Sequence, residues 1–177
     1  GLVIDTDLNE EQQHRVNVAM GSARSLLSLI NDILDFSKVD AGKLELENVD
    51  FNIRDMLGEL SEAMGLQAQV KNLELILDVT KVDESLVKGD PSRLRQIISN
   101  IVSNSTKFTA KGEIIIDAEL VPNDDSSWRL NCNISDTGLG IPDDKISLLF
   151  DSFSQVDSST TRKFGGTGLG LAIVKKL

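Results

Sequence analysis

The run that begins at Asp90-Pro91 constrains the fold of this chain more than any other. An N-capping Asp followed by Pro at the first helical position is a strong helix start. Leu94, Ile97, Ile98, Ile101 and Val102 then recur at spacings of three and four, which turns one stripe toward a core, while Asn100, Asn104 and Lys107 fall on an adjoining stripe. A buried face and a polar face therefore sit side by side on one helix. Two glycine-punctuated segments follow, Asp136-Thr137-Gly138-Leu139-Gly140 and Gly165-Gly166-Thr167-Gly168-Leu169-Gly170, and both read as loops in which a ligand can approach the backbone.

Around that helix the chain alternates elements. Asp7 with Glu10 fits a capping box opening a long helix, along which Val16, Ala19, Ala23, Leu26, Ile30 and Ile33 keep the rhythm of a bundle seam. The seam fits either a core-facing helix within one monomer or a dimerising bundle. The helix should fade between Ser37 and Gly42, with Gly42 taking a left-handed cap. Leu44, Leu46, Val49 and Phe51 predict a short strand over 43–51, and Asn52 starts a helix to about Val70 that buries Ile53, Met56, Leu57, Leu60 and Met64. Strands are expected over 73–79 and 86–87. Ile114, Ile116, Ala118 and Leu120, answered by Trp128, Leu130, Cys132 and Ile134, predict a hairpin with one buried face that delivers Asp136 at its end. Pro142 should open a short helix ending near Phe150, before a Ser/Thr-rich segment over 151–166 with the composition of a lid.

At 177 residues the chain can bury one good core plus a smaller appendage. Its 18 Lys and Arg stand against 28 Asp and Glu, a net charge of −10. That excess repels nucleic-acid phosphates, so no nucleic-acid partner is expected and any phosphate must be held locally. The single Cys132 rules out an internal disulfide and reads as a small buried hydrophobe. No apolar run approaches the roughly 20 residues that span a bilayer, and Gly1-Leu2-Val3-Ile4-Asp5 lacks the basic flank of a signal peptide. A cytoplasmic location is expected, with any membrane anchor outside this stretch. The missing initiator Met and the helical pattern of 171–177 make both ends read as cuts in something longer. His14, the only histidine, sits among Glu10, Glu11, Gln12, Gln13 and Arg15 with no second ligand and reads as a solvated surface residue.

These residues fit a nucleotide site. A carboxylate such as Asp136, where a strand meets a glycine loop, can accept from an exocyclic amine, and Gly138 and Gly140 leave room for a base. Asn100 and Asn104 offer amide oxygens one turn apart for a hard cation that keeps several waters. Lys107 offers a point charge for phosphate. The glycines at 165–170 precede an apolar helix whose free amides can hold phosphate oxygens. Singly, each has a plainer reading, as an ordinary turn, solvated or capping asparagines, and a hinge. Arg162 and Lys163 add either charge to the lid or a solvated pair.

Together, in this order, they resemble the sensor histidine kinases of two-component signalling, with a likeness to the hybrid branch at 35–43. Asn100 to Thr109 looks like the family's asparagine box and Asp136 to Gly140 its first glycine box. Phe150 and Phe153 look like its phenylalanine box, and Gly166 to Gly170 its second glycine box. Residues 30–38 and 42–44 look like the second dimerisation helix and its link to the ATP domain. The resemblance implies an α/β fold, a two-layer α+β sandwich with a mixed sheet and helices on one face, shared with gyrase-type and chaperone ATPases. It implies a partial dimerisation and phosphotransfer region over 1–42 and a catalytic ATP-binding domain over 43–177, truncated at its C-terminal end. It further implies ATP and Mg2+, with Asn104 as metal ligand and Asn100 nearby, Lys107 near the phosphates and Asp136 on the adenine amine. Gly138, Gly140, Ile141 and Phe150 would lie around the nucleotide, and Gly166, Thr167, Gly168, Leu169 and Gly170 at the phosphate-binding edge. The implied partners are a second copy through the helical hairpin and a response regulator or receiver domain.

Two departures stand out. Ser105 occupies a position where the family commonly has Ala. Nothing matches the phosphate-accepting His of the family's first helix, since His14 has the wrong neighbours, so the acceptor is expected on the N-terminal side of this chain. A related ATP-hydrolysing enzyme would carry Glu where Asn100 stands, and an amide cannot take a proton from water. A nucleotide-binding scaffold without catalysis is the other alternative.

Overall fold

The computed structural model describes residues 6–124, 127–151 and 168–177. A long helix, α1 (Glu10–Asp40), comes first. Its N-cap is Asn9, whose side chain accepts from Gln12 N at 2.9 Å while Gln12 Oε1 accepts from Asn9 N at 3.0 Å. The capping box thus lies at Asn9 and Gln12, two residues beyond the expected Asp7–Glu10 pair. The helix ends at Asp40, and Gly42 adopts the expected left-handed conformation with φ +64.

The rest forms two layers. β1 (Val49–Asn52) pairs antiparallel with β3 (Leu86–Gly89) in a two-stranded sheet. The strand expected over 43–51 is confined to its last residues, because β3 supplies only four partners. α2 (Ile53–Val70) follows with Asn52 as N-cap, its Oδ1 accepting from Arg54 N and Asp55 N. β2 (Leu73–Lys81) runs parallel to β4 (Gly112–Pro122), which pairs antiparallel with β5 (Trp128–Asp136), so the sheet is mixed. α3 (Pro91–Phe108) opens on Asp90, whose Oδ1 accepts from Arg93 N at 2.9 Å.

The core lies between this sheet and α2 with α3. Ile53, Met56, Leu57, Leu60 and Met64 of α2 meet Ile98 and Val102 of α3 and Ile116, Ala118 and Leu120 of β4. On α3 only Ile98 and Val102 of the apolar stripe are fully buried; Leu94, Ile97 and Ile101 are half-buried. Alternation along β4 places Ile114, Ile116, Ala118 and Leu120 inward, and Leu130, Cys132 and Ile134 of β5 answer them in register. Trp128 does not join them. It pairs with Pro122 at the hairpin tip and is 44% exposed. Burial, with the Asp117 charge adding to it, pushes the Cys132 thiol up from its ordinary value. α4 covers only Asp143–Ile146, shorter than the helix expected to reach Phe150, and α5 (Gly170–Lys176) closes the chain.

α1 leans on α3 and α5 through polar contacts. Arg93 Nη1 donates to Asp35 Oδ2 at 2.9 Å, and Gln96 Nε2 donates to the same oxygen at 2.7 Å. Farther along, Lys176 pairs with Asp40 and lies 4.6 Å from the Phe36 ring centroid. Other apolar residues of α1 face outward, with Leu26, Leu27, Ile30, Ile33 and Leu34 all exposed, and His14 is exposed as expected. Among the described residues no helix is long and apolar enough to cross a membrane.

Candidate nucleotide-binding site

α3 is the spine of the site. Its register carries Asn100, Asn104 and Lys107 along one side, all half-buried, next to the stripe that Ile98 and Val102 sink into the core. At mid-helix, Asn100 Nδ2 donates to the backbone carbonyl of Gly170 at 3.3 Å, which ties α3 to the first turn of α5. Leu169, 1% exposed, and Ile173, 0% exposed, root that turn in the core, so Leu169 offers the site its backbone rather than its side chain. Gly168 beside it has φ +67, a conformation that suits glycine.

At its C-terminal end α3 meets the other glycine turn. A Cβ on Gly138 would come within 2.9 Å of the Phe108 carbonyl and 3.0 Å of Thr109 Oγ1, so only glycine lets the backbones pack this closely. Asp136, exposed at the end of β5, accepts from Gly138 N through Oδ1 at 2.9 Å. That bond fixes the carboxylate and leaves Oδ2 as the oxygen for an incoming donor. The following residues are open, with Leu139 83% exposed, Gly140 at φ +69 with no atom near its missing Cβ, and Ile141 53% exposed. Lys107 holds its ammonium 4.8 Å from the Phe108 ring centroid, and burial pulls its pKa below the ordinary lysine value. Lys71 stabilises the same helix end by donating to the Thr106 carbonyl at 2.8 Å.

Of the sequence-predicted residues, α3 thus brings Asn100 to Gly170, while its C-terminal end at Phe108 and Thr109 meets Gly138, which Asp136 caps. Phe150 lies 5.8 Å from Lys175 Nζ on α5, by its ring centroid. Phe153, Arg162, Lys163, Gly165, Gly166 and Thr167 lie outside the described residues. Two threonines carry no signal in the sequence beyond their place inside a motif. Thr109 is 1% exposed, and its Oγ1 has no hydrogen-bond partner among the described residues. Thr137 clasps the neighbouring loop, with Glu113 N donating to its Oγ1 at 3.1 Å.

A cavity of about 450 Å³ lies elsewhere, between the end of α1 and the start of α3, lined by Asp35, Lys38, Glu47, Asp90 and Arg93. None of Asn104, Lys107 and Asp136 lines it, so it is a feature of the α1 junction rather than of the glycine turns. No group of three or more His, Cys, Asp or Glu that could hold a metal occurs among the described residues. The amide oxygens of Asn100 and Asn104 would give a cation few protein ligands, with water and phosphate left to complete its shell.

Comparison with known proteins places the chain in a family. Residues 89–177 match the family model described as "Histidine kinase-, DNA gyrase B-, and HSP90-like ATPase", and residues 2–42 match "His Kinase A (phospho-acceptor) domain". The chain is 41% identical to hybrid signal transduction histidine kinase L of Dictyostelium discoideum over 99% of its own length and 10% of that protein. It is 43% identical to the signal transduction histidine-protein kinase BarA of Escherichia coli (strain K12), over 99% of this chain and 19% of BarA. The chain therefore spans a fifth or less of these relatives. Among solved structures, full-length ShkA in complex with AMPPNP superposes with a TM-score of 0.77 at 33% identity, covering 97% of this chain and 34% of that one. The Acinetobacter baumannii histidine kinase AdeS shares the fold at a TM-score of 0.68 and 24% identity, over 98% of this chain and 76% of its own. With its mixed sheet, helical layer and matched ATPase region, the chain belongs to the histidine kinase-, DNA gyrase B- and HSP90-like ATPase family, preceded by a segment of the histidine kinase phospho-acceptor type.

Proposed function

We propose that this chain is the ATP-handling core of a sensor histidine kinase, which transfers the γ-phosphoryl group of ATP to a histidine on the helix preceding α1 in the intact protein. One observation carries the reading: a single helix, α3, touches both glycine turns, through Asn100 on Gly170 and through Phe108 and Thr109 on Gly138. A nucleotide lying along α3 would meet base-recognising and phosphate-facing groups in the order the chemistry needs. Asp136 Oδ2 would accept from the adenine amine, with Leu139, Gly140 and Ile141 beside the base. Asn104 would supply an amide oxygen to Mg2+, whose contribution is to offset phosphate charge. Lys107 would face the phosphates, and the 166–170 segment would hold them through backbone amides. In the transfer the bond from Pγ to the bridging oxygen breaks, ADP leaves, and a bond forms from phosphorus to the imidazole nitrogen.

Hydrolysis is the less favoured outcome. Asn100 donates its amide to Gly170 and has no carboxylate with which to deprotonate water. The exposed apolar face of α1 at Leu26, Leu27, Ile30, Ile33 and Leu34 supports a second copy as partner, and the resemblance adds a response regulator or receiver domain. The phosphotransfer is tested by mixing the chain, Mg2+ and γ-labelled ATP with a separate helical hairpin that contains an acceptor histidine. Label on that histidine supports the kinase, free phosphate without labelled histidine supports an ATPase, and bound ATP with neither supports a scaffold.

A further inference from the structure

The turn that presents Asp136 is gripped by the residue next to it. The β4–β5 ladder ends at the pair Ile114 and Asp136. One residue farther, Thr137 N still donates to the Glu113 carbonyl at 3.2 Å. There the hydroxyl of Thr137 takes over from the backbone. Its Oγ1 accepts from Glu113 N at 3.1 Å and donates to the Lys111 carbonyl at 3.2 Å. Gly112 makes the room for this clasp: it holds φ +115, and a Cβ there would lie 2.1 Å from Thr137 Oγ1. Gly138, on the other side of Thr137, is wedged against Phe108 and Thr109. The Asp-Thr-Gly turn is thus pinned from both sides to the segment that follows Lys107.

We infer that Thr137 is a positioning residue for base recognition: its clasp on Lys111 and Glu113 holds the Asp136 turn so that Oδ2 stays aimed at the exocyclic amine of a bound purine nucleotide. This rests on the ATP-binding reading and deepens it. Without the hydroxyl the amide of Glu113 loses its partner and the turn gains freedom, so the contact with the amine suffers more than contacts to the phosphates. Selectivity for a 6-amino over a 6-oxo purine is the quantity that Thr137 should govern.

The test compares the affinities of the chain for ATP and for inosine triphosphate, which carries oxygen where ATP carries the amine. Thr137→Val keeps the shape and loses both hydroxyl bonds; the ATP-to-ITP preference should fall about tenfold, mostly through weaker ATP binding, and Thr137→Ser should restore it. A general loss of structure would weaken both nucleotides alike. A Thr137→Val chain with the wild-type preference would overturn the inference. Asp136→Asn separates the layers: if it also keeps the preference, the base-recognition reading fails first; if it abolishes the preference while Thr137→Val does not, only the clasp fails. Should Thr137→Val not fold, the wild-type chain still decides. Saturating ATP should slow hydrogen exchange at the Glu113 amide more than saturating ITP, and equal slowing would overturn the inference.

Discussion

Asn100 reaches across 3.3 Å to donate to the backbone carbonyl of Gly170, a residue 70 positions away in sequence. This bond joins the middle of α3 to the start of α5 and sets the distance between the two halves of the site. Asn100→Ala removes it without adding a clash, at a cost of about 1 kcal/mol, or about 2–4 °C in melting temperature. Asn100→Asp places a second acceptor against the carbonyl and should cost more. Thermal denaturation of both variants checks the order; equal losses would remove the hydrogen bond from the account.

The contact between Asp35 and Arg93 ties α1 to α3, with side chains only 19% and 24% exposed. Burial alone would raise the Asp35 pKa, but the hydrogen bonds from Gln96 and Arg93 and the Arg93 charge outweigh it and hold the carboxyl below its ordinary 3.8. A carboxylate depressed on folding contributes stability that is complete above its unfolded value and fades as pH falls through the folded one. Asp35→Asn should therefore cost about 1 kcal/mol at pH 7, with the gap from wild type shrinking below pH 3.8. Denaturant titrations at neutral and acid pH measure that gap, and one that stays constant would contradict the assignment.

Gly138 and Gly140 belong to the same motif yet should respond differently to alanine. At Gly138 the new methyl meets the Phe108 carbonyl at 2.9 Å, a backbone atom that cannot step aside. Gly138→Ala should displace the turn and abolish ATP binding. At Gly140 the space is open and only φ +69 opposes the change, a cost of about 1–2 kcal/mol. Gly140→Ala should fold and still bind ATP, as nucleotide titration of the two variants would show.

Local chemistry makes much of this molecule legible in its sequence. Asn52 and Asp90 cap α2 and α3 because each is followed by an apolar repeat of helical period, and the alternation along 114–120 and 130–134 leaves one face for the core. Where two local patterns overlap, sequence cannot rank them: Asp7 with Glu10 and Asn9 with Gln12 both spell a capping box, and the first helical turn selects the second. Leu44 and Leu46 alternate as a strand would, but β3 is too short to pair with them. Contacts such as Asp35 with Arg93, or Asn100 with Gly170, depend on tertiary packing and leave no periodic trace. Thr109 and Thr137 are hidden for another reason. The Thr137 hydroxyl bonds to backbone atoms of a neighbouring segment and the Thr109 hydroxyl packs against Gly138, and a motif read along the chain does not show what lies across it.

The central claim is that an adenine nucleotide binds beside α3 with Asp136 on its amine. Isothermal calorimetry of ATP with Mg2+ into the wild-type chain and Asp136→Asn tests it most directly. The account predicts saturable binding to the wild type, and affinity at least about tenfold weaker in a variant that melts at the same temperature, as expected when a charged acceptor is lost from a recognition bond. No heat of binding to folded wild-type chain, or undiminished affinity in Asp136→Asn, would contradict it.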